Sequence, residues 1–429
     1  MPLRILLATI GSAGDVNPVI GLGRALRDRG HRVEVVANET YSGQVEGAGL
    51  EFAPMGTAEE FERLSGDPRL WNLRKGFACI AEGAIQPNIR RLYDIIERRR
   101  GPSTVVAATT LCLGARVAQD RLGVPTATIH LQPGVIRSLV DAGRIGYVDL
   151  GPGVPRSVKR LLYWCIDTLL VERRVGPPLN AFRSQLGLSP VRGILGSYIH
   201  SPRMVLGLFP EWFAAPQPDW PAATRLTGFI LNDSGGRAEA RAEAEEFAGA
   251  GAPPVLVTPG SAAMDRSRFF RDTVEACRRT GLRAMLVTNH PGQLPEGLPP
   301  GIRAFPYVPF SRVLPKCSAV VYHGGIGTLA QAVKAGVPHL VVPNAHDQPD
   351  NGRRIERLGL GVCIAPGTYS RGRAAGAIGR LLRSPEIRGR CREYAARVDS
   401  AASLERACAL IEELGGKSQP PKTRWPRQE

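Results

Sequence analysis

Residues Val320 to Asn351 read VVYHGGIGTLAQAVKAGVPHLVVPNAHDQPDN, and this stretch decides the fold. A short apolar strand, Ala319–Tyr322, runs into His323-Gly324-Gly325-Ile326-Gly327-Thr328 and then into a helix whose end is marked by Gly336. Glycines at such a turn let the backbone approach a ligand and aim N–H groups at an anion, and the helix N-terminus adds about half a positive charge. Thr328 contributes a hydroxyl and His323 a donor of adjustable charge, a set suited to a diphosphate. No Lys follows the last glycine, so the magnesium-dependent P-loop is excluded. A plain strand-to-helix turn is the alternative. After the next strand, Asp347-Gln348 falls at the carboxyl edge of the same sheet, where open α/β sheets bind ligands. A carboxylate beside an amide can hold several sugar hydroxyls, or the pair can simply cap a helix before Pro349.

The same strand–turn–helix rhythm extends outward. In the C-terminal half, Val255–Pro259 ends at Gly260-Ser261, and Arg283–Thr288 and His339–Val342 are further strands. The N-terminal half opens with a strand from Leu3 to Ile10, the loop GSAGDVN, and a helix over Pro18–Arg29 with Asn17 as N-cap and Gly30 past its end. Arg32–Ala37, Thr104–Ala108 and Pro125–Leu131 follow as strands. Alternation of this kind predicts an α/β chain with doubly wound parallel sheets. A Pro- and aromatic-rich stretch and then a polar one break the rhythm. Two domains, 1–220 and 253–415, joined by a linker at 221–252 and followed by a disordered basic tail at 416–429, account for the pattern.

The 429 residues include 55 Lys or Arg against 39 Asp or Glu, a net charge of +16, with 49 Gly, 36 Pro and 43% hydrophobic residues. Collagen-like, low-complexity and disordered classes are set aside. Eight scattered cysteines form no CxxC pair or zinc spacing and read as reduced, buried thiols. Nowhere do about 18 uncharged apolar residues follow one another, so a soluble, intracellular protein is expected. The basic excess suggests nucleic acid, an anionic membrane or a phosphorylated ligand. A nucleic-acid protein would interleave aromatics with a Lys/Arg cluster, and only Arg98–Arg100 and the tail approach that. Arg156–Val175, RSVKRLLYWCIDTLLVERRV, is an apolar helical stripe bordered by five basic residues. It suits an anionic membrane interface or an ordinary amphipathic helix.

In the loop Gly11-Ser12-Ala13-Gly14-Asp15 the glycine spacing departs from GxGxxG, which disfavours a dinucleotide cofactor. Asp15 is its only ionisable side chain. A general base there needs a raised pKa, which burial supplies and a nearby helix N-terminus opposes. The alternative is a carboxylate that ties the loop to the helix start.

HGGIGT, AGVPHLVVPNAHDQ and GSAGDVNP together resemble the family 1 nucleotide-sugar glycosyltransferases, which have the two-domain GT-B fold. GDPRLWN (Gly66–Asn72), Ser201–Pro221 and AHDQPDN look most like the bacterial branch that includes sterol glucosyltransferases and rhamnolipid rhamnosyltransferases. The resemblance implies two Rossmann-like domains facing a cleft. The acceptor would sit in the N-terminal one and the nucleotide sugar in the C-terminal one, with the last helix packing back on the first domain. It places the donor diphosphate on His323, Gly324, Gly325, Gly327, Thr328 and Ser261, the donor sugar on Asp347 and Gln348, and the nucleoside on Val308 and Gln331. Asp15 matches the catalytic base of the bacterial antibiotic members. Gly14 and His130 are candidates for the acceptor pocket, although His130 also reads as a core histidine, and His346 is similarly open. Hydrophobic positions in Leu131–Val148 would shape the pocket too. Three positions depart from the family: Tyr322 in place of a second His, Phe310 in place of a Gln, and Gln331 in place of the Glu that holds the ribose. The implied reaction is inverting and metal-independent, with no cofactor. It moves a hexose or 6-deoxyhexose from a UDP- or dTDP-sugar to a hydroxyl of a hydrophobic lipid, sterol or polyketide-like acceptor. An epimerase or hydrolase of nucleotide sugars on the same fold is the alternative. The expected location is the cytoplasm, with peripheral contact at the inner face of an anionic membrane and no nucleic-acid partner.

Overall fold

The structure is a computed structural model that describes residues 2–72, 75–233, 238–260 and 267–416. The segment from residue 417, read as a tail, lies outside the described residues. Among the described residues fifteen strands run in chain order: β1 (Arg4–Ala8), β2 (Arg32–Ala37), β3 (Glu51–Pro54), β4 (Thr104–Thr109), β5 (Thr126–His130), β6 (Arg144–Ile145), β7 (Val148–Asp149), β8 (Met204–Gly207), β9 (Thr224–Leu226), β10 (Val255–Thr258), β11 (Ala284–Val287), β12 (Ile302–Phe305), β13 (Ala319–Tyr322), β14 (His339–Val341) and β15 (Gly361–Cys363).

Seven of them form one sheet in the order β3-β2-β1-β4-β5-β8-β9, and six form a second in the order β12-β11-β10-β13-β14-β15. The ladders of both sheets are parallel; Ile5, for example, pairs with Val33 on one side and Val105 on the other. Strands buried on both faces must be apolar throughout, as ILLA and VVAA are in β1 and β4. β6 and β7 make a separate two-residue antiparallel hairpin. β9 falls in the stretch read as linker and completes the first sheet instead.

Strand order reverses between β1 and β4 in one sheet and between β10 and β13 in the other. Crevices at such switch points, beyond the carboxyl ends of the strands, are where open α/β sheets take ligands. The first helix, which follows β1, carries Asp15 in its first turn, and the loops following β10 and β13 carry Gly260 and His323.

The first helix spans Ala13–Asp28 and not Pro18–Arg29. Ser12 is its N-cap and Asp15 completes a capping box, a stronger start than Asn17-Pro18 because it satisfies two otherwise orphaned N–H groups. Pro18 therefore lies inside the helix and has no N–H to offer the Gly14 carbonyl.

The last helix, Ser400–Gly416, returns to the first sheet. Its Ala407, Cys408, Ile411 and Leu414 are buried with Ile5, Leu7 and Ile20. Glu412 receives Arg29 in two hydrogen bonds of 2.8 Å and His31 in a third of 2.8 Å. All eight cysteines are free, and six are buried, Cys165 and Cys363 being the half-buried pair. Among the described residues no helix is long and apolar enough to cross a membrane.

The helical stripe predicted at Arg156–Val175 forms as Arg156–Ile166, a wider turn over Asp167–Val171, and Glu172–Arg174. Of its five bordering cations Lys159 turns inward, donating to the carbonyls of Leu139 and Val140 at 3.1 and 2.7 Å.

Candidate active site

The two switch points open on one cleft of about 700 Å³, lined by residues of both halves. From the N-terminal half come Gly11 to Asp15, Trp71, Thr110 and Gln132; from the C-terminal half come Gly260, Val308, His323, Gly325, Thr328, Gln331, Asp347 and Gln348.

The first helix and the helix Ile326–Ala335 present their N-termini to each other across this cleft. A Cβ added to Gly327 would lie 3.7 Å from the Gly14 Cα, so the two backbones nearly touch. Each end carries about half a positive charge. Two like poles facing one space favour an anion between or beside them.

Asp15 sits at the start of the first helix. Its Oδ2 accepts from the Ser12 backbone N–H at 2.8 Å and from the Ser12 hydroxyl at 3.4 Å. The carboxylate folds back over Gly11, where φ is +146° and a Cβ would collide with it. Burial pushes its pKa up to about 6, against the lowering hydrogen bonds from Ser12. The opposition between burial and helix end is thus decided by burial, and the loop-tying role and a basic carboxylate coexist.

His323 follows β13. Gly260, with φ +96°, faces its ring, and a Cβ there would stand 2.7 Å from the imidazole, so the loop after β10 and the histidine require a glycine between them. Gly325 caps the following helix and also abuts the His323 ring. Gly324, with φ +92°, does not line the cleft; it lets the chain pass close to Gln348. Ser261 lies outside the described residues.

Asp347 occupies the N-cap position of the helix Gln348–Arg357, yet its carboxylate makes no capping bond. It accepts instead from Asn351 Nδ2 at 2.6 Å, and the same amide donates to the Gly324 carbonyl at 2.9 Å. Burial, with the charge of Asp15 adding to it, raises the Asp347 carboxyl to about 7. Gln348 Oε1 is taken by the backbone N–H groups of Asn344 and Ala345 at 2.8 and 3.2 Å, which leaves its NH₂ as the donor.

Gln331 and Phe310 line the cleft, as does the buried Val308. Tyr322 does not: it is fully buried, its hydroxyl 3.0 Å from His339 Nδ1. That departure from the family pattern is a core pair, its ring edge-on to His323.

His130 does not line the cleft either. It is fully buried, with Nδ1 2.8 Å from the Thr110 hydroxyl and Nε2 2.9 Å from His200 Nδ1. Burial, with His200 beside it, holds it well below the usual histidine range, and Leu131, Gln132 and Val135 line the cleft after this strand instead. The rest of Leu131–Val148 runs on to the hairpin β6–β7.

Asn17, read from the sequence only as a helix cap, and Trp71 and Tyr307, given no role there, all line the cleft. Trp71 lies in GDPRLWN, quoted above only as a branch feature. It meets His346 edge-on at 5.6 Å, and His346 is the one described non-glycine residue with positive φ, +59°. Asn17 accepts from Gln44 Nε2 at 2.6 Å, and its carbonyl receives Asn232 Nδ2 at 3.0 Å, which fastens the connecting stretch to the first helix.

Comparison with known proteins agrees with this geometry. Residues 5–131 match the glycosyltransferase family 28 N-terminal domain, and residues 284–410 match the erythromycin biosynthesis protein CIII-like C-terminal domain. The chain is 32% identical over 424 residues to O-mycaminosyltylonolide 6-deoxyallosyltransferase of Streptomyces fradiae, covering 96% of this chain and 97% of that one. It is 27% identical to a sterol 3-beta-glucosyltransferase of Arabidopsis thaliana, over 92% of this chain and 65% of the plant protein. The crystal structure of the glycosyltransferase VinC in complex with dTDP superposes with a TM-score of 0.67 at 18% identity, over 96% of this chain and 99% of that one. The chain belongs to the GT-B glycosyltransferases and is a nucleotide-sugar-dependent hexosyltransferase.

The raised Asp347 carboxyl has a consequence for stability. Between its ordinary pKa of 3.8 and about 7 the folded protein holds a proton that the unfolded chain releases, so this group's contribution falls as pH rises through that window. Asp347→Asn removes the loss. The thermal midpoint of the variant minus that of the parent is expected to be larger at pH 8 than at pH 5; an equal difference at both would contradict the buried carboxyl.

Proposed function

We propose that this glycosyltransferase inverts the anomeric centre, moving a hexose or 6-deoxyhexose from a UDP- or dTDP-sugar to a hydroxyl of a hydrophobic acceptor, with Asp15 as general base. The carrying observation is that Asp15 and the His323–Thr328 loop, from different sheets, face one cleft at two switch points. In this reading residues 1–220 bind the acceptor and residues 253–415 the nucleotide sugar.

Asp15, raised to about 6, is ionised at neutral pH yet basic enough to take a hydroxyl proton as the bond to sugar C1 forms. The acceptor oxygen attacks C1 from the face opposite the diphosphate. The C1–oxygen bond to phosphate breaks, and the diphosphate leaves with the electron pair. Backbone N–H groups at the start of Ile326–Ala335, the Thr328 hydroxyl and His323 would meet the charge that develops there. Asp347 and the Gln348 NH₂ would hold the sugar hydroxyls, and Val308 and Gln331 the nucleoside. A dTDP or UDP donor is supported by the dTDP held in VinC and by the family motifs. A 6-deoxyhexose is supported by the name of the Streptomyces fradiae relative, and a polycyclic or macrolide-like acceptor by both named relatives. The acceptor side of the cleft is apolar, with Leu64, Leu70, Trp71, Ile80 and Val135 among its walls.

Peripheral contact with the inner face of an anionic membrane is part of the proposal. Val158, Leu161, Trp164 and Leu169 are 49 to 61% exposed. Their helical spacing puts them on one face, and Arg156, Arg160 and Arg173 are exposed around them.

Three outcomes are expected. In a screen of nucleotide sugars, acceptor-dependent transfer by Asp15→Asn falls at least about 10³-fold while UDP or dTDP affinity is kept. The parent's kcat/KM rises with pH through about 6; near-normal turnover of the variant would sink the base assignment. His323→Ala weakens nucleoside diphosphate binding, and unchanged affinity by calorimetry would contradict its role. The parent co-sediments with phosphatidylglycerol vesicles but not phosphatidylcholine ones, and Leu161→Asp abolishes this; no sedimentation of the parent would refute membrane contact.

A further inference from the structure

The helix Gln348–Arg357 starts at the cleft, but its Asp350, Arg353, Arg354 and Arg357 side chains reach into the N-terminal half. Asp350, 3% exposed, accepts the Arg144 N–H of β6 at 2.8 Å through Oδ1 and Arg354 Nε at 2.7 Å through Oδ2. Arg354 in turn donates to the Phe213 carbonyl at 3.0 Å. Arg353 Nε donates to Asp149 of β7 at 2.8 Å, and its Nη1 stands 3.5 Å from Asp141. Arg357 donates to Asp141 at 2.9 Å. The Tyr147 hydroxyl, at the hairpin turn, donates to the Pro343 carbonyl at 3.1 Å, in the loop leading to Asp347. Gly143, with φ +69°, has no room for a Cβ against the Asp350 carboxylate.

One short segment, Asp141–Asp149, therefore grips the chain on both sides of Asp347 and Gln348. The side chains of Arg353 and Asp141 are only 14 and 17% exposed, so solvent screens this contact less than it does a surface pair. The same stretch of chain begins at Leu131, Gln132 and Val135 on the acceptor side of the cleft.

We propose that the hairpin β6–β7 is a clamp across the cleft, and that Asp350 and Arg353 are positioning residues that hold Asp347 and Gln348 against the donor sugar. The proposal rests on the assignment of Asp347 and Gln348 to the sugar. It differs from a general stabilising role in one respect: the diphosphate loop belongs to another strand and helix, so loosening the clamp weakens the hold on the sugar and spares the hold on the diphosphate.

Calorimetry with the full chain tests this, using dTDP, UDP and a panel of dTDP-glucose, UDP-glucose and dTDP-rhamnose, of which the tightest is carried forward. The variants are Asp141→Ala with Asp149→Ala, which leaves the helix sequence intact, and Tyr147→Phe, which removes one hydroxyl. The double variant is expected to weaken the nucleotide sugar about tenfold while the sugar-free diphosphate is unchanged, and Tyr147→Phe is expected to do so to a smaller extent. For the parent, raising salt from 50 to 500 mM is expected to lower nucleotide-sugar affinity relative to the diphosphate, and for the double variant it is not. Unchanged nucleotide-sugar affinity in the double variant, or equal loss of both ligands, overturns the clamp. Asp347→Asn is the control: if it leaves nucleotide-sugar affinity unchanged, the sugar assignment itself falls and the clamp falls with it.

Discussion

The close approach of Gly14 and Gly327 is the constraint on which the rest of the site depends. A Cβ on Gly327 would already stand in van der Waals contact with the Gly14 Cα, so the two helix N-termini meet backbone to backbone and each half brings its positive pole to the same cleft. The poles repel in an empty cleft and are satisfied by negative charge, which the site supplies in part through Asp15 and which a nucleoside diphosphate would supply in full. The parallel sheets make the arrangement available, because every ligand loop leaves a strand at its carboxyl end and two switch points are turned toward each other.

Carboxylates in such a place are pulled two ways. Helix ends and N–H donors favour the charged form, while burial favours the neutral one. For both Asp15 and Asp347 burial prevails, to about 6 and about 7. The Asp15 charge adds to burial in the second shift. Asn351 joins the Asp347 carboxylate to the Gly324 carbonyl.

Part of the positive charge behind the net +16 is engaged within the fold. Several arginines are engaged in holding the two halves together. Arg353 and Arg357 meet acids of the opposite half, Arg354 meets a backbone carbonyl there, and Arg29 meets Glu412 on the returning last helix. Others surround the exposed apolar face of Arg156–Ile166.

Sequence by itself determined the alternating strands and helices, the two parallel sheets and the stretch from Val320 to Asn351, because apolar runs, glycine turns and caps act over a few residues. Even there, local signals competed: Ser12 and Asp15 form a capping box that starts the first helix five residues before Pro18. Tertiary structure alone decided which distant groups meet. His130 reads either as a pocket residue at a strand end or as a core histidine, and His200, seventy positions on, makes it the latter. Tyr322 reads as a missing donor until it pairs with His339. The hairpin at Arg144–Asp149 reads as part of a pocket wall until Asp350 and Arg353 take hold of it. Such pairings depend on how two packed halves are placed against each other, a property of buried area and shape summed over the whole chain that no short spacing records.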